Sequence, residues 1–118
     1  MTGPLDAHVR PEAGGARIVL SGRLDRDGDA AMAAAYDGIR ALGAANIVLD
    51  FAATDYINST GIALIVRLLA EARRDGRSVR AAGLSAHYVE IFRITRLSDF
   101  IALDDEATEP QLTPGGMQ

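Results

Sequence analysis

The stretch NIVLDFAATDYINSTGIALIVRLL, residues 46–69, decides the fold. It begins with NIVLDF, a continuous apolar run typical of a strand that is covered on both faces. It ends with apolar residues at i, i+3, i+4 and i+7, which is the spacing of one helix face: Ile62, Ile65, Val66 and Leu69. Between the two we expect a loop, AATDYINS. The stretch therefore predicts a strand, a loop and a buried helix in succession.

The rest of the chain predicts four more strands: AHVRPE (7–12), ARIVLSG (16–22), SVRAAG (78–83) and DFIAL (99–103). Gly14 and Gly15 favour a hairpin between the first two. Helices separate the later strands, so those strands must be largely parallel. The fold class is therefore α/β, a single domain with a mixed, mostly parallel β-sheet and packed α-helices. Such folds place function in the loop after a central strand.

Two more helices are predicted, over residues 30–42 and 86–95. The first turns Met32, Ala35, Ile39 and Leu42 to the core and ends at Gly43. The second begins after Ser85 as its cap and turns Tyr88, Ile91 and Phe92 inward. We expect the folded domain to span residues 1–107. Residues 108–118 contain two prolines and a Gly pair, with little to bury, and are predicted to be a disordered tail.

Composition limits the possible functions. There is no cysteine, which excludes disulfides and thiolate metal sites. We expect a cytoplasmic protein, because no run of about eighteen apolar residues and no signal-peptide pattern is visible. The net charge of -4 gives no general attraction to nucleic acid or to an anionic membrane, and neither is predicted as a partner. All twelve basic residues are arginines, and five of them lie within residues 67–80. They form either a local basic face or, as we prefer, a solvated helix end.

Several kinds of chemistry are poorly supported. His8 and His87 lie far apart, so no metal site is predicted. There is no phosphate-binding G-x-x-x-x-G-K-[ST] element and no lysine. A serine hydrolase is the enzyme alternative, with Ser59 on a strand-to-helix turn as nucleophile. However, the G-x-S-x-G pattern is absent and His87 is the only base that could reach Ser59.

The hydroxyl pair Ser59 and Thr60 needs a further explanation. Either Ser59 or Asn58 is expected to cap the following helix, which contributes about 1 kcal/mol. Capping needs only one such residue, yet Asn58, Ser59 and Thr60 come in a row before Gly61. A phosphoryl group on a hydroxyl at an exposed helix N-terminus would lie favourably against the helix dipole and change the surface without unfolding the domain. The pattern is therefore suited to a binding switch.

Residues 19–103 resemble the STAS domain of bacterial anti-sigma-factor antagonists. The resemblance is carried by VLSGRLD (19–25), by a strand followed by a [DN]-S-[ST]-G core at residues 58–61 and an apolar helix, and by IFRITRLSDFI (91–101). It implies a STAS domain over residues 1–107. It also implies that Ser59, the first hydroxyl of the core, is phosphorylated by a partner, an anti-sigma factor that is itself a serine kinase.

The same resemblance implies the rest of the cycle. The unphosphorylated antagonist binds the anti-sigma factor, the phosphorylated form does not, and a phosphatase resets it. The protein would need no cofactor and would catalyse nothing itself. We expect the partner to cover a loop that comprises Tyr56, Asn58, Ser59, Thr60 and Gly61.

Two features depart from the family pattern. Asn58 replaces the aspartate of the best-known antagonists, which removes a negative charge beside the acceptor. Few apolar residues follow Leu103, so the family's C-terminal helix is expected to be short or missing. Because STAS domains also occur in membrane transport complexes, a subunit that docks on an ATPase is the alternative binding role.

Overall fold

A computed structural model describes residues 3–104 of the chain. Its eight elements follow in the predicted order: β1 (Asp6–Glu12), β2 (Gly15–Leu24), α1 (Asp29–Leu42), β3 (Asn46–Ile57), α2 (Ser59–Arg74), β4 (Ser78–Ala82), α3 (Ala86–Ile94) and β5 (Ala102–Asp104). Short 3-10 turns precede α1 and β5. The predicted tail at 108–118, the domain boundary at 107 and the family's C-terminal helix lie outside the described residues.

The five strands form one sheet in the order β1-β2-β3-β4-β5. The hairpin pair β1 and β2 is antiparallel, and the other three pairs are parallel. Each parallel pair is joined through a helix, as the chain geometry requires. The predicted α/β class, with a mixed and mostly parallel sheet, is confirmed.

The hydrophobic core lies on one face of the sheet. Along β3, Ile47, Leu49 and Phe51 are buried and pack with side chains from all three helices. The intervening Val48 and Asp50 are only half-buried. Asp50 accepts a hydrogen bond from Arg17 of β2 at 2.9 Å. The prediction that both faces of this strand are covered is therefore wrong, because its alternate side chains form a charged outer face.

Strand β3 continues through residues that were predicted to be a loop. It runs to Ile57, and β2 runs alongside it as far as Leu24. The pairing shows two register shifts, opposite Val19 to Ser21 and opposite Gly22 to Arg23 of β2, and at each of them β3 has one extra residue. Strand β3 therefore leads directly into the first turn of α2, with the end of β2 beside it. At the other end of the domain, β5 is shorter than predicted, because Phe100 follows a 3-10 turn instead of belonging to the strand.

Helix α2 is rotated relative to the predicted inner face. Its buried residues include Leu64, Leu68 and Ala72 besides Ile65 and Leu69. Val66 is 46% exposed, so its predicted burial is wrong. The predicted burial of Leu42 at the end of α1 is also wrong, because its side chain is 49% exposed. The predicted caps at Gly43 and Ser85 are confirmed: Gly43 has φ 65°, and the Ser85 hydroxyl accepts from the N–H of Tyr88.

Candidate functional site

The candidate site lies where the paired ends of β2 and β3 meet the start of α2. Leu24 and Ile57 are register partners at the last position of the two strands. The N–H of the next residue, Asn58, donates to the carbonyl oxygen of Leu24 at 3.3 Å. This bond continues the sheet pairing by one residue and fixes the point at which the chain turns into the helix.

Asn58 is the N-cap of α2. Its backbone is extended, with φ -103° and ψ -175°, and its side-chain oxygen accepts the N–H of Gly61 at 2.9 Å. Of the two residues that the sequence offered for this cap, the structure selects Asn58 and not Ser59. An aspartate at this position could accept the same bond. The departure of Asn58 from the family pattern therefore changes the charge beside Ser59 but leaves the capping geometry intact.

Ser59 and Thr60 are the first two residues of α2, and both are exposed. Within residues 3–104 the hydroxyl of Ser59 makes no hydrogen bond to another protein group. It is therefore accessible to solvent and is not required for the cap. The same holds for Thr60, so the structure does not choose between the two hydroxyls by exposure.

Gly61 is buried against the end of β2. A β-carbon added here would lie 2.1 Å from the carbonyl oxygen of Leu24, a distance at which no side chain fits. The first turn of α2 is thus held tightly against the strand. The glycine after the hydroxyl pair has a packing role that its position in the sequence alone did not reveal.

Two tyrosines flank the turn with different roles. Tyr56 is 46% exposed and lies at the same end of the sheet as the two hydroxyls. Tyr88 of α3 is half-buried, and its hydroxyl oxygen accepts the N–H of Ile57 at 3.0 Å. Sequence analysis predicted only that Tyr88 faces inward and missed this bond. Together with Asn58, it ties the turn to two neighbouring elements.

The electrostatic environment of the hydroxyls is favourable to an anion. Helix α2 has sixteen residues, and its first turn contains no acidic residue. The unpaired N–H groups and the macrodipole therefore give this end a partial positive charge.

The five predicted loop residues lie together at one helix N-terminus: Tyr56, Asn58, Ser59, Thr60 and Gly61.

Neither a serine nucleophile with its base nor a metal site is seen among the described residues. A serine nucleophile needs a base within hydrogen-bonding distance. Among the described residues none forms a hydrogen bond with the hydroxyl of Ser59, and the ring of His87 packs instead against Tyr88, with centroids 4.9 Å apart. In the same part of the chain no three metal-binding side chains cluster, and no helix has the length and apolarity to cross a bilayer.

The five arginines between residues 67 and 80 do not form one basic face. Arg67 pairs with Asp29 of α1, and Arg80 pairs with Asp104 of β5 at 3.4 Å. Arg77 donates to the carbonyl of Ala44 at 2.6 Å. Three of the five are therefore engaged in separate contacts.

Comparison with known proteins agrees with this fold. Residues 7–103 match a protein-family model described as "Mlab, STAS domain". None of the curated proteins matches the sequence of this chain.

Several solved structures resemble the chain, among them the following three. An anti-sigma factor antagonist from Mycobacterium paratuberculosis has 20% identity and a TM-score of 0.68, with 87% of this chain and 89% of that chain covered. Unphosphorylated SpoIIAA, an anti-sigma factor antagonist, has 18% identity and a TM-score of 0.61 over 75% and 82% of the two chains. The phosphorylated form of Bacillus SpoIIAA, a cell fate determinant, has 18% identity and a TM-score of 0.63 over 86% and 95%. At these identities the likeness concerns the fold.

Proposed function

Because this chain belongs to the STAS domain family, we propose that it is an anti-sigma-factor antagonist whose binding is controlled by phosphorylation of Ser59. In this proposal the unphosphorylated protein binds an anti-sigma factor that has serine-kinase activity. That kinase transfers the γ-phosphoryl group of ATP to the Ser59 hydroxyl, and the modified protein is released. A phosphatase hydrolyses the phosphoserine and restores binding.

The observation that carries the proposal is the division of roles between Asn58 and Ser59. Asn58 caps α2, so the adjacent hydroxyl of Ser59 is exposed and has no structural bond to lose. A phosphoryl group there adds a charge of about -1.5 to -2 at a helix end that favours anions. The domain can thus remain folded while the charge of its surface at this helix end becomes negative.

Release follows from the position of the added charge. A partner that covers the turn from Tyr56 to Gly61 must pack closely over Ser59. A dianion at this point removes that close packing and leaves a charge without a counter-ion, which costs several kcal/mol at an interface. The kinase supplies the ATP and magnesium, so this protein acts only by binding.

The proposal is tested by identifying the partner and mapping the modification. Affinity capture on the purified protein should retain a serine kinase that is also an anti-sigma factor. Incubation with that kinase and ATP should add one phosphate, mapped to Ser59 by mass spectrometry. Ser59→Ala should abolish labelling, whereas the matched variant Thr60→Ala should keep it. Label that persists in Ser59→Ala would overturn the assignment of the acceptor.

Asn58 favours a second candidate, a STAS subunit of a membrane transport complex that docks on an ATPase without being phosphorylated. The reason is that Asn58 lacks the charge that the best-known antagonists carry beside the acceptor. The same capture experiment separates the two roles. A transport ATPase on the affinity column, together with no phosphate on Ser59, would favour the second role.

A further inference from the structure

A groove with apolar walls runs beside α2, starting close to the candidate site. It has a volume of about 680 Å³ and lies between α2 on one side and the 3-10 turn before β5 on the other. Its walls include Val66, which is 46% exposed, and Phe100, which is 62% exposed. Exposed apolar side chains gathered in one groove are typical of an interaction surface.

The groove continues the surface that carries Ser59. Ser59, Ile62, Val66 and Arg73 follow one another at helical spacing along a single stripe of α2. The last three of them line the groove. A partner that covers Ser59 therefore meets the groove without leaving this face of the helix.

The far end of the groove is basic, although the protein as a whole carries a net charge of -4. Three arginines line it against one aspartate: Arg73, Arg77, Arg96 and Asp99. Asp99 is engaged by Arg96 at 2.9 Å. In the part of the chain that the structure describes, the guanidinium group of Arg73 has no partner. One cation at this end is thus available to an acidic group.

We infer that this groove binds an amphipathic helix of the partner, with an apolar stripe against Val66 and Phe100 and an acidic residue against Arg73. The stripe from Ile62 to Arg73 is about 16 Å long at 1.5 Å per residue, which matches three turns of a helix. A second copy of this chain fits poorly, because among the described residues that line the groove the one acidic group it could set against Arg73 is Asp99, which already pairs with Arg96. The inference rests on the proposed function, since it assigns the groove to the same partner.

Two labelled synthetic peptides of about sixteen residues provide the probe. Both carry the same leucine stripe at helical spacing; one has glutamate at its polar positions and the other has lysine. Titrated against the full-length, unphosphorylated protein, the glutamate peptide should bind about tenfold more tightly or better. Backbone NMR shifts should change at Ile62, Val66 and Phe100.

Matched variants locate the binding. Val66→Glu should abolish binding of the glutamate peptide, whereas Ala63→Glu, an exposed position on α2 outside the groove, should weaken it much less. Arg73→Glu should reverse the preference between the two peptides, and the neighbouring Arg74→Glu should not. Unchanged circular dichroism spectra and melting temperatures establish that each variant is folded.

The inference is overturned if neither peptide binds, if both bind equally, or if Ala63→Glu is as harmful as Val66→Glu. It is also overturned if sedimentation shows a dimer through this face, or if NMR contacts place residues 105–118 in the groove. The assay contains no kinase, so it is independent of phosphorylation. Groove binding by the peptides without phosphorylation of Ser59 by any captured kinase would overturn the proposed function alone.

Discussion

One carbonyl oxygen, that of Leu24, positions the start of α2 through Gly61. This oxygen accepts the N–H of Asn58 and contacts the α-carbon of Gly61, where a β-carbon would lie 2.1 Å away. The end of β2 and the first turn of α2 are therefore in backbone contact. The position of the exposed Ser59 depends on this contact, because Ser59 lies between the two residues that meet Leu24.

We predict that Gly61→Ala destabilises the domain even though alanine favours helix. The helix preference contributes about 1 kcal/mol in favour of alanine. The clash with a backbone oxygen costs more, so we expect a net loss of about 1–3 kcal/mol in the free energy of unfolding. Urea melts measure it. Gly38→Ala in α1 is the control, since its nearest neighbour is a methyl group of Val9 at 3.2 Å, which can move. Equal effects in both variants would contradict the role of Leu24.

The second prediction separates the role of Asn58, which caps α2, from that of Ser59, the proposed site of phosphorylation. Asn58→Ala should cost about 1 kcal/mol, because it removes the acceptor for the N–H of Gly61. Ser59→Ala should change stability by less than about 0.5 kcal/mol, since its side chain is exposed and makes no bond to other described residues. Leu68→Ala in the core should cost about 2–5 kcal/mol. Denaturant melts of the three variants check this order, and a Ser59 variant worse than the Asn58 variant would show that Ser59 is structural.

The third prediction concerns binding to the captured anti-sigma factor. Phosphorylation of Ser59 should weaken binding by about a hundredfold or more. Ser59→Asp should weaken it less, because it carries one charge instead of nearly two. Ser59→Ala should bind as the unmodified protein does and remain bound in the presence of ATP. Calorimetric titration gives the affinities, and equal affinity for the phosphorylated and unmodified proteins would exclude the switch.

The fourth prediction is a pH dependence that arises away from the site. The hydroxyl of Tyr36 in α1 donates to the carboxylate of Asp75 at 2.7 Å, and Arg40 donates to the same oxygen at 3.3 Å. The hydrogen bond from Tyr36, with a further contribution from Arg40, lowers the pKa of Asp75 below its ordinary value. The folded state therefore binds fewer protons here than the unfolded state does. The resulting stabilisation is present above the ordinary pKa and is lost as the pH falls below about 4.

Tyr36→Phe should reduce this acid sensitivity, because it removes the main cause of the lowered pKa of Asp75. Urea melts from neutral pH down to about pH 3 would measure the slope of unfolding free energy against pH. Tyr56→Phe serves as the control, since Tyr56 is exposed and takes no part in the contacts of Asp75. A slope unchanged in Tyr36→Phe would mean that Asp75 contributes nothing to the acid response.

The sequence predicted the order of the elements, but not which face of each element is buried, and its assignment of the site residues stays a prediction. Gly43 and Ser85 are local signals, and both caps were predicted correctly, whereas the apolar run NIVLDF predicted a strand correctly but not that only one of its faces is covered. Val66 was misplaced because α2 is apolar on more than one side, so its period alone allows two rotations. Leu42, the last residue of α1, was misplaced because periodicity alone does not reveal that this end of the helix is exposed. The choice of Asn58 over Ser59 as cap depends on the position of Leu24, a residue over thirty positions away in the chain.

That Asn58 caps α2 while Ser59 is the proposed site of phosphorylation also has a consequence for the lifetime of the protein in the cell. Degradation of a folded domain follows the population of its opened state. Because Asn58 caps α2 whether or not Ser59 is modified, and the helix end favours an anion, that population should be no larger for the phosphorylated form. Proteases would then remove the phosphorylated form no faster than the unmodified one. Under the proposed function, the supply of binding-competent protein would be set by the ratio of kinase to phosphatase activity and not by selective degradation of one form.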